Sequence, residues 1–127
     1  MITQDKKSLI ESYIQCYNAF DIDGLVALLA DDVVFENEAG GEVNVHTQGK
    51  EDFKTLALQS AQVFSARQQT ITNMQLHDDS ATVDIDYQGT VAADLDNGLK
   101  AGQVIELQGQ TLFKFSHGKI SHIKDVS

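Results

Sequence analysis

The sequence predicts an α+β domain in which helices come first and a long antiparallel meander comes last. Three observations carry that prediction. Up to about residue 65, apart from one short β-branched stretch, apolar residues recur at the period of a helix. From about residue 69 the period switches to two, the period of strands. Turn signals at Asp78-Asp79-Ser80, Asp96-Asn97-Gly98 and His117-Gly118 then cut the second half into strand-length pieces. Helices gathered on one face of an antiparallel sheet bury the apolar sides of both.

The first helix is expected over residues 4–19, where Leu9, Ile10, Tyr13, Ile14 and Tyr17 share a face. Thr3 is a candidate cap for it, and Asp5 suits its first turn. Asp21 or Asp23 caps a second, shorter helix through Leu25, Leu28 and Leu29, which Asp31-Asp32 ends. Val33-Val34-Phe35 is β-branched and aromatic, hence a strand. Residues 37–49 contain Gly40-Gly41 and read as a loop or irregular hairpin. A third helix is expected over residues 50–65, with Phe53, Leu56, Ala57, Ala61 and Phe64 along its buried stripe.

Strands follow over residues 69–77, 81–91, 104–116 and 119–126. Ala81, Val83, Ile85 and Tyr87 share one face, and Thr82, Asp84 and Asp86 the other. Thr111, Phe113 and Phe115 share a face of the next strand, and Ile123 and Asp125 share a face of the last. Gly89 and Gly109 lie inside strands and are candidate bulges or bends of a strongly curved sheet. Such a sheet, closed by helices, leaves a cone whose mouth can take a ligand.

Composition narrows the function classes. A chain of 127 residues with 42% hydrophobic content is expected to form one domain, residues 1–127, around a single core. No apolar run approaches the ~18–20 residues of a membrane span, and the N-terminus lacks a signal-peptide core, so a cytoplasmic protein is expected. The net charge of −10 argues against nucleic acid and anionic membranes as partners. The single Cys16 cannot form an internal disulfide and reads as a small, semi-buried residue. His46, His77, His117 and His122 are dispersed without metal-ligand spacing, so no metal is expected. No glycine-rich phosphate loop and no G-x-S-x-G is present, so neither a nucleotide cofactor nor serine hydrolase chemistry is expected.

The order of elements, the stretch YNAFDIDGLVALLADDVVFEN, the Gly49 entry to the third helix and the closing GKISHIKDV resemble a SnoaL-like domain of the NTF2-like superfamily. That group includes polyketide cyclases and ketosteroid isomerases. The resemblance implies an NTF2-like cone, with three helices from the N-terminal part packed on a strongly curved, mostly antiparallel sheet. It also implies a homodimer formed through the open sheet face. Ketosteroid isomerases carry an oxyanion tyrosine on the first helix, which falls on Tyr13. Their general-base aspartate falls on Asn37, and their protonated aspartate falls on or near Thr111. An amide cannot accept the proton, so steroid isomerisation by that route is not expected. Similar cyclases use an aspartate on the last strand as acid or base, and Asp125 lies close to that position.

The candidate catalytic residues are therefore Tyr13, His46 and Asp125. His46 enters because it titrates near neutral pH and precedes the third helix, beside the expected mouth. Phe35, Asn37, Phe53, Thr111 and Phe113 are the candidate ligand-binding residues. The resemblance implies a small-molecule pocket protein, acting without a cofactor as an isomerase, cyclase or hydratase on an apolar, carbonyl-containing ligand. A non-catalytic ligand-binding module and a dimeric assembly module on the same fold stay open beside it.

Overall fold

The structure is a computed structural model describing residues 3–127, with side chains from Asp5 onward, so the Thr3 side chain expected to cap the first helix lies outside the described part. α1 (Thr3–Asn18) and α2 (Ile22–Ala27) precede β1 (Leu29–Ala39) and β2 (Glu42–Gln48). α3 (Lys50–Val63) leads into β3 (Phe64–Leu76), β4 (Ser80–Val91), β5 (Val104–Ser116) and β6 (Lys119–Val126). The strands form one sheet in the order β2-β1-β6-β5-β4-β3. β1 and β6 run parallel, and every other neighbouring pair is antiparallel. The helices pack on one face of this curved sheet, so the fold is the α+β cone expected. No described helix is long and apolar enough to cross a membrane.

The core lies between α1 and the sheet. Ile10, Tyr13 and Ile14, spaced to share a helix face, are buried against Val83, Phe113 and Ile123. α1 ends in a Schellman turn: the Asp21 N–H donates to the Cys16 carbonyl at 2.9 Å and the Phe20 N–H to the Tyr17 carbonyl at 3.2 Å. Phe20 holds the left-handed position at φ 58°, where glycine is the usual occupant. Asp21 then caps α2, accepting the Gly24 N–H at 2.9 Å.

Two boundaries differ from expectation, the end of α2 and the start of β3, while the irregular hairpin expected over residues 37–49 is present. α2 stops at Ala27, and Leu29, Asp31 and Asp32 belong to β1. Leu29 pairs with Ile120, both fully buried, and that long-range pairing overrides the leucine spacing of a helix. Residues 37–49 form the irregular hairpin of β1 and β2, turning through Gly40 and Gly41 at φ 61° and 84°. β3 begins at Phe64 rather than residue 69, paired to β4 as far as Val91. Its polar run of Ser, Arg and Gln hid the strand period.

The two strand glycines are not bulges. β4 and β5 pair without a register break through both. A Cβ at Gly109 would stand 2.6 Å from the Val126 carbonyl oxygen, so glycine lets the end of β6 approach.

Candidate functional site

Register builds the site in two rows across the concave face. Phe35, Ile123, Phe113 and Ala81 are cross-strand neighbours and form the lower, apolar row. Two residues further along each strand come Asn37, Asp125, Thr111 and Val83. Because side chains alternate with period two, this second row faces the same side as the fully buried Ile123 and Phe113. Asp125 is thereby turned inward beneath the helices.

Asp125 lines two adjoining cavities, of about 220 and 280 Å³, which share Tyr17, Asn37 and Asp125 as their common wall. The first is closed by Tyr13 from α1, Phe35 from β1, and Phe53, Leu56 and Ser60 from α3. The second runs under Phe64, Tyr87 and Thr111. A larger hollow of about 770 Å³ lies along the far ends of β3, β4 and β5, beside Gln68, Asp86 and Glu106. It touches no residue of the polar row, so its size is not a reason to place chemistry there.

The Asp125 carboxylate accepts one hydrogen bond, from the Thr111 hydroxyl at 2.8 Å. Burial pushes its pKa up from 3.8 to about 6, and the Thr111 bond pulls the other way. It therefore changes charge close to neutral pH, as a group that both takes and returns a proton must. Tyr13 is buried edge-on to Phe113, ring centroids 5.4 Å apart. Burial, with the Asp125 charge second, raises its pKa well above 10.0, so its hydroxyl stays protonated and can donate. The Tyr17 hydroxyl donates to that of Tyr87 at 3.1 Å, across the second cavity, and burial raises both. Among the described residues no three His, Cys, Asp or Glu side chains gather to hold a metal.

The structure brings together Tyr13, Phe35, Asn37, Phe53 and Asp125 on the first cavity, and Thr111 with Asn37 and Asp125 on the second. Phe113 lies below both as the fully buried support of Tyr13 rather than as a lining residue. His46 is not brought to the site. It pairs in register with Glu36 on β1, while its neighbours Val45 and Thr47 point inward, so its ring stands exposed on the outer face. Glu36 also faces outward, meeting His122 Nε2 at 2.9 Å. Asn37 donates its amide to Asn44 at 2.9 Å.

Two lining residues had no sequence signal strong enough to single them out. Tyr17 read as part of the α1 apolar stripe. Arg67 sits in a polar run that looks solvated, yet it is buried; its being the chain's sole arginine was the available hint.

Comparison with known proteins agrees with this fold. A family model described as a SnoaL-like domain matches residues 10–123. A provisionally named polyketide cyclase of Xanthomonas campestris pv. campestris superposes with a TM-score of 0.82 at 20% identity, over 98% of this chain and 90% of that one. An M. tuberculosis epoxide hydrolase gives 0.77 at 17% identity, over 98% and 83%. A Catenulispora acidiphila protein with a ketosteroid isomerase-like fold, solved with trimethylamine, gives 0.77 at 16% identity, over 92% and 82%. At these identities the likeness is one of fold.

Proposed function

The chain belongs to the SnoaL-like domain family, and from that premise we propose that it moves a proton on an apolar, carbonyl-containing small molecule without a cofactor. The observation that carries this reading is Asp125: an inward-facing, half-buried carboxyl on a cavity, hydrogen-bonded to Thr111, with its pKa raised to about 6. The Asp125 carboxylate takes a proton from the carbon next to the ligand carbonyl. The C–H electron pair passes into the carbonyl, and the developing enolate oxygen accepts a hydrogen bond from the Tyr13 hydroxyl. Return of the proton to another carbon of a conjugated ligand gives an isomer. Attack of the enolate carbon on a second carbonyl closes a ring, and the proton held by Asp125 goes to the new alkoxide.

Hydrogen–deuterium exchange tests this without the natural substrate. Ring-containing ketones in D2O are followed by NMR with the protein present. Asp125→Asn is expected to slow the protein-dependent exchange by at least ~100-fold, and Tyr13→Phe by a comparable factor. Exchange that survives both changes would remove the proposal.

Asn37 favours a second reading, a binding module on the same cavities. It stands where the similar isomerases keep their base, and its amide is engaged with Asn44. That reading expects saturable binding with no exchange at all. A homodimer and a cytoplasmic location belong to the proposal as well; light scattering at twice 13.9 kDa would support the dimer.

A further inference from the structure

The proton transfer proposed above makes no use of Arg67. This residue is 6% exposed and borders the first cavity, at the start of β3. A guanidinium carries five N–H donors. Its Nε–H donates to the Tyr17 carbonyl oxygen at 3.0 Å, and its carbon lies 3.8 Å from the Tyr17 ring centroid and 4.4 Å from that of Phe20. Among the described residues no carboxylate pairs with it and no acceptor takes its other four donors. The chain holds 19 acidic residues, so the missing partner is not for want of them.

A buried charge without a counter-charge is costly, and the aromatic faces return only part of that cost. Asp125 lies on the same cavity but does not serve as the partner. The Arg67 charge bears on Tyr13, Tyr17 and Tyr87, while Asp125 is governed by burial and Thr111. The cavity is thus bordered by a cation and a carboxyl that do not pair with each other, with the apolar walls of Phe35, Phe53 and Leu56 beside them.

We infer that Arg67 anchors a carboxylate of the ligand, which makes the ligand a small keto acid with an apolar body. The planar fork of the guanidinium matches a carboxylate with two parallel hydrogen bonds. The placing of the ketone at Tyr13 and Asp125 rests on the function proposed above; the carboxylate at Arg67 does not.

The test is calorimetric titration with 4-oxo-4-phenylbutanoate and with its amide, which keeps the ring and ketone and removes the charge. The acid is expected to bind at least about tenfold tighter than the amide, a charge-assisted pair against a neutral one. Arg67→Met should erase that preference by bringing the acid to the affinity of the amide, and saturable binding of both at that common affinity reports an intact cavity. Arg67→Lys should keep part of it, since it keeps the charge without the fork. Equal binding of acid and amide to the unaltered protein, or binding of neither, overturns the assignment. The two readings fail separately: preferred binding of the acid without exchange at its α-carbon leaves Arg67 standing and removes Asp125. Exchange with no preference for the acid does the reverse.

Discussion

The two faces of β1 and β6 carry similar residues to opposite ends. On the outer face Glu36 meets His122 at 2.9 Å and Glu38 meets Lys124 at 3.4 Å. On the inner face, one residue along, Asp125 has only the neutral Thr111 hydroxyl as partner among the described residues. The outer carboxylates sit beside groups that carry or can carry positive charge. The inner one is half-buried on a cavity with no cation paired to it, and desolvation raises its pKa to about 6. Strand register alone separates these outcomes, because a shift of one residue exchanges the faces. The outer charges are paired; the inner one, without a cation, is the carboxyl proposed to move the proton.

The comparison can be broken most severely at Asp125. Asp125→Asn is expected to cost at least ~100-fold in α-proton exchange, measured by NMR, because an amide cannot accept the proton. Next comes the floor beneath it. Phe113→Ala should destabilise the fold by about 3–5 kcal/mol in a denaturant titration, through the cavity opened under Tyr13.

The same carboxyl should leave a smaller mark on stability. Its folded pKa of about 6 lies above its ordinary 3.8, so the folded state holds the proton more tightly. The stabilisation this gives is full below pH 3.8 and is lost as pH rises through about 6. Asp125→Asn removes the dependence. The variant should therefore gain on the unaltered protein between acid and neutral pH, by on the order of 2 kcal/mol with cavity water screening the charge. Melting curves across that range read the gain; a constant gap between the two proteins would count against a raised pKa.

Thr111→Val sharpens the comparison further. Losing the one hydrogen bond to the carboxylate should move the Asp125 midpoint upward, visible as a shifted pH profile of exchange. The smallest effects belong to the outer face. Glu36→Gln should cost no more than about 1 kcal/mol, less in high salt, and should leave exchange unchanged. His46→Ala should do neither harm, since its ring is exposed beyond the sheet.

What the sequence disclosed follows the range over which each signal acts. Local periodicity located α1, α3, β5 and β6 closely, because an amphipathic stripe is written into neighbouring residues. The start of β1 at Leu29 depends on Ile120, and the start of β3 at Phe64 on Val91, partners that no local window contains. The same holds at the site. Alternation put Asp125 on the face of Ile123 and Thr111 on that of Phe113, so the inner row could be read from strand parity. His46 was misplaced because the reading of residues 37–49 left loop and irregular hairpin both open, and parity has no meaning until a strand is assigned. Arg67 was invisible because its burial comes from Tyr17 and Phe20 at the end of α1, some 50 residues away.

An inward carboxyl without a cation is expected to titrate near neutral pH. Carbon-13 NMR of the Asp125 side-chain carboxyl, followed across pH and assigned with Asp125→Asn, measures this directly. The expected midpoint is at about 6. A midpoint at the ordinary 3.8 would mean that the carboxyl is solvated or paired, and the proposed chemistry would lose its base.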